Sequence, residues 1–351
     1  MTMTMKKIIS LEKKKTRLSF RPHLALTMLV GGMLALVMTQ APSADARRYS
    51  DWSAPVNLGP VINSAFNDEQ PAISKDGRSL YFTSNHPGPF GGFDMYVSQR
   101  ARDDDPWGSP VNLGSIVNTA SNEGNPAFSR DGHLMFFQSD RPGGLGGIDL
   151  WVSWCRNKHD DFGWQTPVNL GAGVNSAAND NGPSYFENGD EDSEHDGEDE
   201  EGTPQLYFGS DRPGGLGLAD IYMSEQTAAG CFGPAVLVTE LSSPMAENAP
   251  SIRRDGLEIF FHSNRTGSIG LNDLWVATRE STHDAWSTPV NLGATINTAF
   301  ADQQPYLSSD NTTLFFASDR PGGFGGQDLY MITRTKLRGH HDDDDRDRDD
   351  H

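Results

Sequence analysis

An all-β fold built from five copies of one four-stranded antiparallel sheet is what this 351-residue sequence predicts, and three observations carry the prediction. The first is a turn motif, SDRPGGLGGIDLW at residues 139–151, which returns at 84–96, 210–222, 263–275 and 318–330. Its closing aspartates, Asp94, Asp149, Asp220, Asp273 and Asp328, lie 55, 71, 53 and 55 residues apart, a period that belongs to propellers and solenoids. The second is the run between turns: short β-branched and aromatic stretches bounded by turn formers, with no helical periodicity. The third is a mismatch at the ends. The phrase APVNLG at 54–59 precedes the first unit, and the last unit stops after its third run near Thr333. Pairing the two closes a ring and removes open sheet edges.

Taken in order, residues 1–46 read as an export signal. A basic start (Lys6, Lys7, Lys13, Lys14, Lys15, Arg17, Arg21) precedes an apolar run over 24–38 and a small-x-small site at Ala44-Asp45-Ala46. The run is short for a membrane span, which needs about 20 residues. An exported chain, periplasmic or extracellular and not membrane-embedded once the signal is cleaved, is expected.

Residues 51–335 then read as the propeller. Each unit opens on a polar segment such as 63–70. A proline-led run follows (Pro71-Ala72-Ile73-Ser74), then an Asp-Gly turn (Asp76-Gly77), a run (80–83), the glycine-rich turn, a third run (94–98) and a fourth (107–113). Asp-Gly, repeated at Asp131-Gly132 and Asp255-Gly256 and as Asp310-Asn311, is expected to form a two-residue hairpin with positive φ at both positions. Blade five is expected to borrow its fourth strand from the N-terminal end. Residues 187–203, an insertion in blade three with ten carboxylates and no Lys or Arg, and the tail 336–351 read as solvated acidic segments.

Composition narrows the partners. Thirty-seven glycines and 21 prolines suit a turn-rich β fold. The net charge of −20 argues against nucleic acid, whose phosphates need clustered Lys and Arg. Much of that charge sits in the insertion and the tail.

The phrases PAFSRDGHLMFF at 126–137 and SDRPGG…DLW at 139–151 resemble TolB-type propeller repeats, which look related to WD repeats. The resemblance covers about 280 residues, the scale of a full propeller of repeated blades, and leaves no room for the separate α/β domain that precedes the TolB propeller. It implies an exported or envelope propeller acting as a binding scaffold.

In such blades one face carries the glycine turns and the polar lead-in segments. These place an acid three residues before each proline: Asp68, Glu123, Asp180, Glu247 and Asp302. Asn63, Asn118, Asn175 and Asn297 lie five residues earlier, with Ser242 in blade four, and the turns supply Arg141, Arg212, Arg265 and Arg320, with His86 in blade one. One reading is a carboxylate ring at a channel mouth that binds a cation or sugar hydroxyls. The other, favoured by five matching copies, pairs each acid with its arginine or with backbone N–H groups. The five closing aspartates read as turn caps. In the insertion, Asp192, Glu194 and Asp196 match early positions of a calcium loop, but Thr203 stands where a bidentate Glu belongs. No other cofactor is expected. Cys155 and Cys231 are candidates for a disulfide, Cys231 reading as the occupant of a slot filled elsewhere by Trp52, Trp107, Trp164 and Trp286. The tryptophans read as packing residues.

No nucleophile elbow, zinc helix or phosphate loop occurs, and no blade is read as holding an odd acid at an otherwise neutral position. The expectation is a monomeric, non-enzymatic scaffold for a protein or envelope polymer. The alternative is a carbohydrate-binding or glycosidase-like propeller using the carboxylate ring; a calcium-dependent scaffold is a third reading.

Overall fold

The computed structural model describes residues 49–88, 90–187, 203–227 and 230–337. The expected export signal, the calcium candidates Asp192, Glu194 and Asp196, and all but the ends of the insertion and tail lie outside the described residues. The described chain forms five four-stranded antiparallel sheets. Blade one is β2 (Asp68–Ile73), β3 (Ser79–Ser84), β4 (Asp94–Gln99) and β5 (Val111–Asn112). Blade two is β6 (Glu123–Phe128), β7 (Leu134–Ser139), β8 (Asp149–Trp154) and β9 (Val168–Asn169). Blade three is β10 (Asp180–Phe186), β11 (Gln205–Ser210), β12 (Asp220–Glu225) and β13 (Val236–Leu237). Blade four is β14 (Glu247–Ile252), β15 (Glu258–Ser263), β16 (Asp273–Thr278) and β17 (Val290–Asn291).

Blade five joins β18 (Asp302–Leu307), β19 (Thr313–Ser318) and β20 (Asp328–Thr333) to β1 (Val56–Asn57). Val56 pairs with Met331 and Asn57 with Tyr330, so the leading strand closes the ring as expected. The core is divided among the blade junctions. Phe136 and Phe208 pack together between blades two and three, Phe260 and Phe316 between four and five, and Phe82 and Phe315 across the closure. Each such ring contributes roughly 1.5–3 kcal/mol by leaving water.

Three local expectations are corrected. The fourth strands are two residues long, not runs such as 107–113. A proline just before most of them (Pro55, Pro110, Pro167, Pro289) has no N–H for the ladder. The Asp-Gly turns carry positive φ at one position only: Gly77, Gly132, Gly256 and Asn311. The aspartate instead serves as an acceptor. Asp76 Oδ1 takes the Ser74 hydroxyl at 2.6 Å and the Arg78 N–H at 3.2 Å.

The third correction concerns the tryptophan slot. Gly108 N and Gly233 N donate to Gln99 O and Glu225 O, so the residue equivalent to Trp107 is Phe232, not Cys231. Phe232 packs on Phe136 and Tyr185. The tryptophans are packing residues, with Arg100, Arg279 and Arg334 lying 4.2, 4.3 and 4.4 Å over Trp107, Trp286 and Trp52. Cys155 takes the corresponding arginine position in blade two, its thiol 3.6 Å from Gly132 O. Cys155 and Cys231, the candidates for a disulfide, are both free thiols here.

Candidate functional site

The five lead-in acids occupy equivalent, buried positions at the start of each innermost strand. Four share one arrangement. Glu123 accepts the Thr119 N–H at 2.7 Å and the Ser139 hydroxyl at 2.8 Å, and meets Arg141 at 3.1 Å. Asp180 accepts Ser176 N–H and Ser210 Oγ at 2.6 Å each and meets Arg212 at 2.5 Å. Glu247 repeats this with Ser243, Ser263 and Arg265, and Asp302 with Thr298, Ser318 and Arg320. Each guanidinium also lies over two rings, Arg212 over Phe208 and Tyr222 at 5.3 and 4.7 Å. The acid, the serine and the arginine come from a strand, its partner strand and the following turn, so pairing of the two innermost strands brings them together. Carboxylates bonded on several sides have little left to offer a ligand.

The closing aspartates hold the glycine turns. Asp149 accepts Leu145 and Gly146 N–H and the Asn169 side-chain amide; Asp94, Asp273 and Asp328 repeat the amide contact with Asn112, Asn291 and Asn57. Blade three has Leu237 where the others have that asparagine, and Asp220 Oδ1 is buried without a partner among the described residues. Asn63, Asn118, Asn175 and Asn297 each bond both backbone groups of a third-strand residue, as Asn118 does with Met95 at 2.9 Å. Ser242, too short for this, donates to Val238 O instead.

The symmetry breaks in blade one. His86 replaces the arginine and sits edge-on to Phe66 at 5.4 Å, so Asp68 lacks the guanidinium its four counterparts have. The next position along the innermost strand reads Gly124, Asn181, Asn248 and Gln303 in blades two to five, but Glu69 in blade one. An odd acid at an otherwise neutral position is therefore present, contrary to the sequence reading. Aligning the five prolines and reading two residues back finds it.

Glu69 stands in an unusual stretch of backbone. The residue after it in each blade, Gln70, Asn125, Gly182, Ala249 or Gln304, has φ between 47° and 57°, and strand pairing slips there. A following proline contributes no N–H to the ladder, so the strand bulges. For non-glycine residues this left-handed conformation costs roughly 1–2 kcal/mol each. The freed N–H groups turn to side chains of neighbouring blades: Gln70 N to Gln304 Oε1 (3.3 Å), Asn125 N to Gln70 Oε1 (3.0 Å), Gly182 N to Gln138 Oε1 (3.0 Å) and Gln304 N to His262 Nδ1 (3.2 Å). Two of these bonds join innermost strands, β2 with β18 and β6 with β2, and two reach the second strand of the preceding blade, β7 and β15, so that together they form a partial girdle.

Glu69, half-buried, sits next to that girdle beside the Gln304 side chain. Burial pushes its carboxyl up to about 7, against the lowering effect of the Gln304 side chain and with a smaller push from Asp68. His262, half-buried and accepting through Nδ1, is held down at about 4 by loss of water; it is a neutral imidazole with its proton on Nε2. A carboxylic acid that keeps its proton near neutral pH is the chemical equipment of a proton donor. Among the described residues no group of three or more His, Cys, Asp or Glu is placed to hold a metal ion.

Beyond the girdle, on the side of the Asp-Gly turns, all five blades contribute to a cavity of about 150 Å³. Phe128, Tyr185 and Tyr306 line it together with Arg130, Arg254 and Glu187. Tyr306 occupies the position held by Ala72, Ala127, Ser184 and Ser251 in the other blades. Sequence reading passed over this end of the axis, because its residues come from five distant hairpins.

No protein-family model matches the chain, and no curated protein matches it in sequence. Among solved structures, the α-L-arabinofuranosidase of Lactobacillus brevis is similar over 80% of this chain and 94% of its own, at 13% identity and TM-score 0.53. The catalytic domain of the Coprinopsis cinerea GH62 α-L-arabinofuranosidase is similar over 82% and 98%, at 14% identity and TM-score 0.53. A structure described as TolB from Agrobacterium tumefaciens aligns over 82% and 99% at 15% identity, with TM-score 0.45. At these identities the likeness shows the five-bladed fold, and the TolB type is not singled out. The expectation of a non-enzymatic scaffold is corrected: arabinofuranosidases share this architecture, and its premise of five equivalent blades fails at Glu69 and His86.

Proposed function

We propose that this chain is a carbohydrate-active propeller of the glycosidase kind, acting at the blade-one side of the axis. Glu69 carries the reading: it is the one acid among five equivalent axial positions, and its carboxyl is held near 7 by burial. Glu69 serves as proton donor to the departing glycosidic oxygen, with Asp68 as the neighbouring acid of the same strand. Asn181, Asn248 and Gln303, at the equivalent positions, supply amides suited to sugar hydroxyls. The likeness to arabinofuranosidase propellers supports a pentose-bearing polysaccharide as substrate class. The basic and apolar start of the chain supports an exported protein.

The test is hydrolysis of arabinan, arabinoxylan and chromogenic arabinofuranosides by the full chain. Turnover reduced at least about a hundredfold in Glu69→Gln, with thermal stability preserved, supports the reading. Absence of both turnover and polysaccharide binding in the wild-type chain overturns it.

A further inference from the structure

We propose that the cavity on the Asp-Gly-turn side of the axis is a second binding site, for a small ring-shaped carboxylate. The site is distinct from the one assigned to Glu69, which is not among the residues that line the cavity.

Size, walls and charge converge on that ligand class. A cavity of about 150 Å³ accepts one six-membered ring. Its aromatic residues, Phe128, Tyr185 and Tyr306, offer faces for a ring to lie against. Tyr306 belongs to this chain's particular cavity, because the other four blades carry alanine or serine there.

Arg130 supplies the recognition element. Its Nε is buried and has no acceptor among the described residues, a costly state for part of a charged group. The Arg130 backbone is held in place, its N–H donating to Glu187 Oε2 at 3.1 Å and its carbonyl accepting from Arg254 Nη2 at 3.2 Å. Tyr185 donates to the other Glu187 oxygen at 3.1 Å, and the Glu187 carboxylate lies close enough to Arg130 for their charges to interact. An arginine in the wall of an aromatic-lined cavity suits a carboxylate, which guanidinium N–H groups bind in pairs. The shared chemistry is a carboxylate on a six-membered ring, whether a uronic acid or an aromatic acid.

Titration calorimetry on the full chain, with glucuronate and galacturonate, their neutral parent sugars, and benzoate, reads this directly. Saturable binding of an acid, at least tenfold tighter than its neutral counterpart and lost at least tenfold in Arg130→Gln, is the expected result. A uronate preferred over benzoate identifies a sugar acid, and the reverse identifies an aromatic acid. Glu69→Gln leaves this binding unchanged, which separates the site from the proposed hydrolytic one. Tyr306→Phe keeps the ring and is expected to retain binding, whereas Tyr306→Ala weakens it severalfold. Equal affinity for acids and neutral sugars, no binding of either, or full binding by a folded Arg130→Gln chain overturns the proposal.

Discussion

Glu69 stands beside the side chain of Gln304 across the junction where the first blade meets the last. Gln304 in turn donates its own N–H to His262 in blade four and accepts that of Gln70 in blade one. A proton-holding carboxyl thus lies on the seam that the closed ring creates.

This seam predicts a pH signature. The folded Glu69 binds its proton more tightly than the unfolded chain does, about 7 against 4.5, so stability falls as pH rises through that window. His262 acts in the opposite sense: its folded value near 4 lies below 6.5, and stability is lost as pH falls from 6.5 towards 4. Glu69→Gln is expected to flatten the loss on the alkaline side, by up to about 3 kcal/mol at pH 8. Chemical denaturation at pH 5 and pH 8 measures it; equal pH dependence in both chains contradicts the assignment.

The missing guanidinium of blade one can be restored. His86→Arg would place an arginine where Arg141, Arg212, Arg265 and Arg320 pair with their acids, with Phe82 and Tyr96 stacked beneath. A gain of roughly 1 kcal/mol, a few degrees in Tm, is expected. The converse change, Arg212→Ala, leaves Asp180 buried without its cation and costs about 3–5 kcal/mol. Thermal melts of the two variants should move in opposite directions.

Closure of the ring rests on a two-residue strand. Asn57 accepts Gly59 N–H at 2.8 Å and the Asn63 amide at 2.9 Å, and donates to Asp328 at 2.9 Å. Asn57→Ala is expected to cost about 1–3 kcal/mol. Deletion through residue 59 exposes the edge of β20, and light scattering should then report association between chains.

The two thiols should behave differently. Burial pushes the Cys155 thiol up to about 12, while Cys231 is only part-buried. A thiol reagent at pH 8 is expected to label Cys231 in the folded chain and Cys155 only after unfolding. Rapid labelling of both, or of neither, would count against this picture.

Much of the architecture was legible in the residue order, because the information is local and repeated. Each glycine turn with its closing aspartate states one blade, and the displaced VNLG phrase reveals how blade five is completed. The acids and arginines were legible as sets. Their contacts depend on the pairing of neighbouring strands, which puts Ser210 and Arg212 against Asp180. Repetition also misled: attention to what the five units share hid Glu69 and His86, where one unit departs, and a count of residues put Cys231 in a slot that hydrogen bonding gives to Phe232.

The sequence by itself thus determined the number of blades, the turns and the closure, since those follow from short-range pattern and steric preference. Only the tertiary structure decided that Glu69 is crowded by the inner strands beside Gln304, that the acid ring is largely used up internally, and that five hairpins enclose one cavity. Desolvation and enclosure arise when residues from distant parts of the chain converge on an axis, and no local pattern records that convergence.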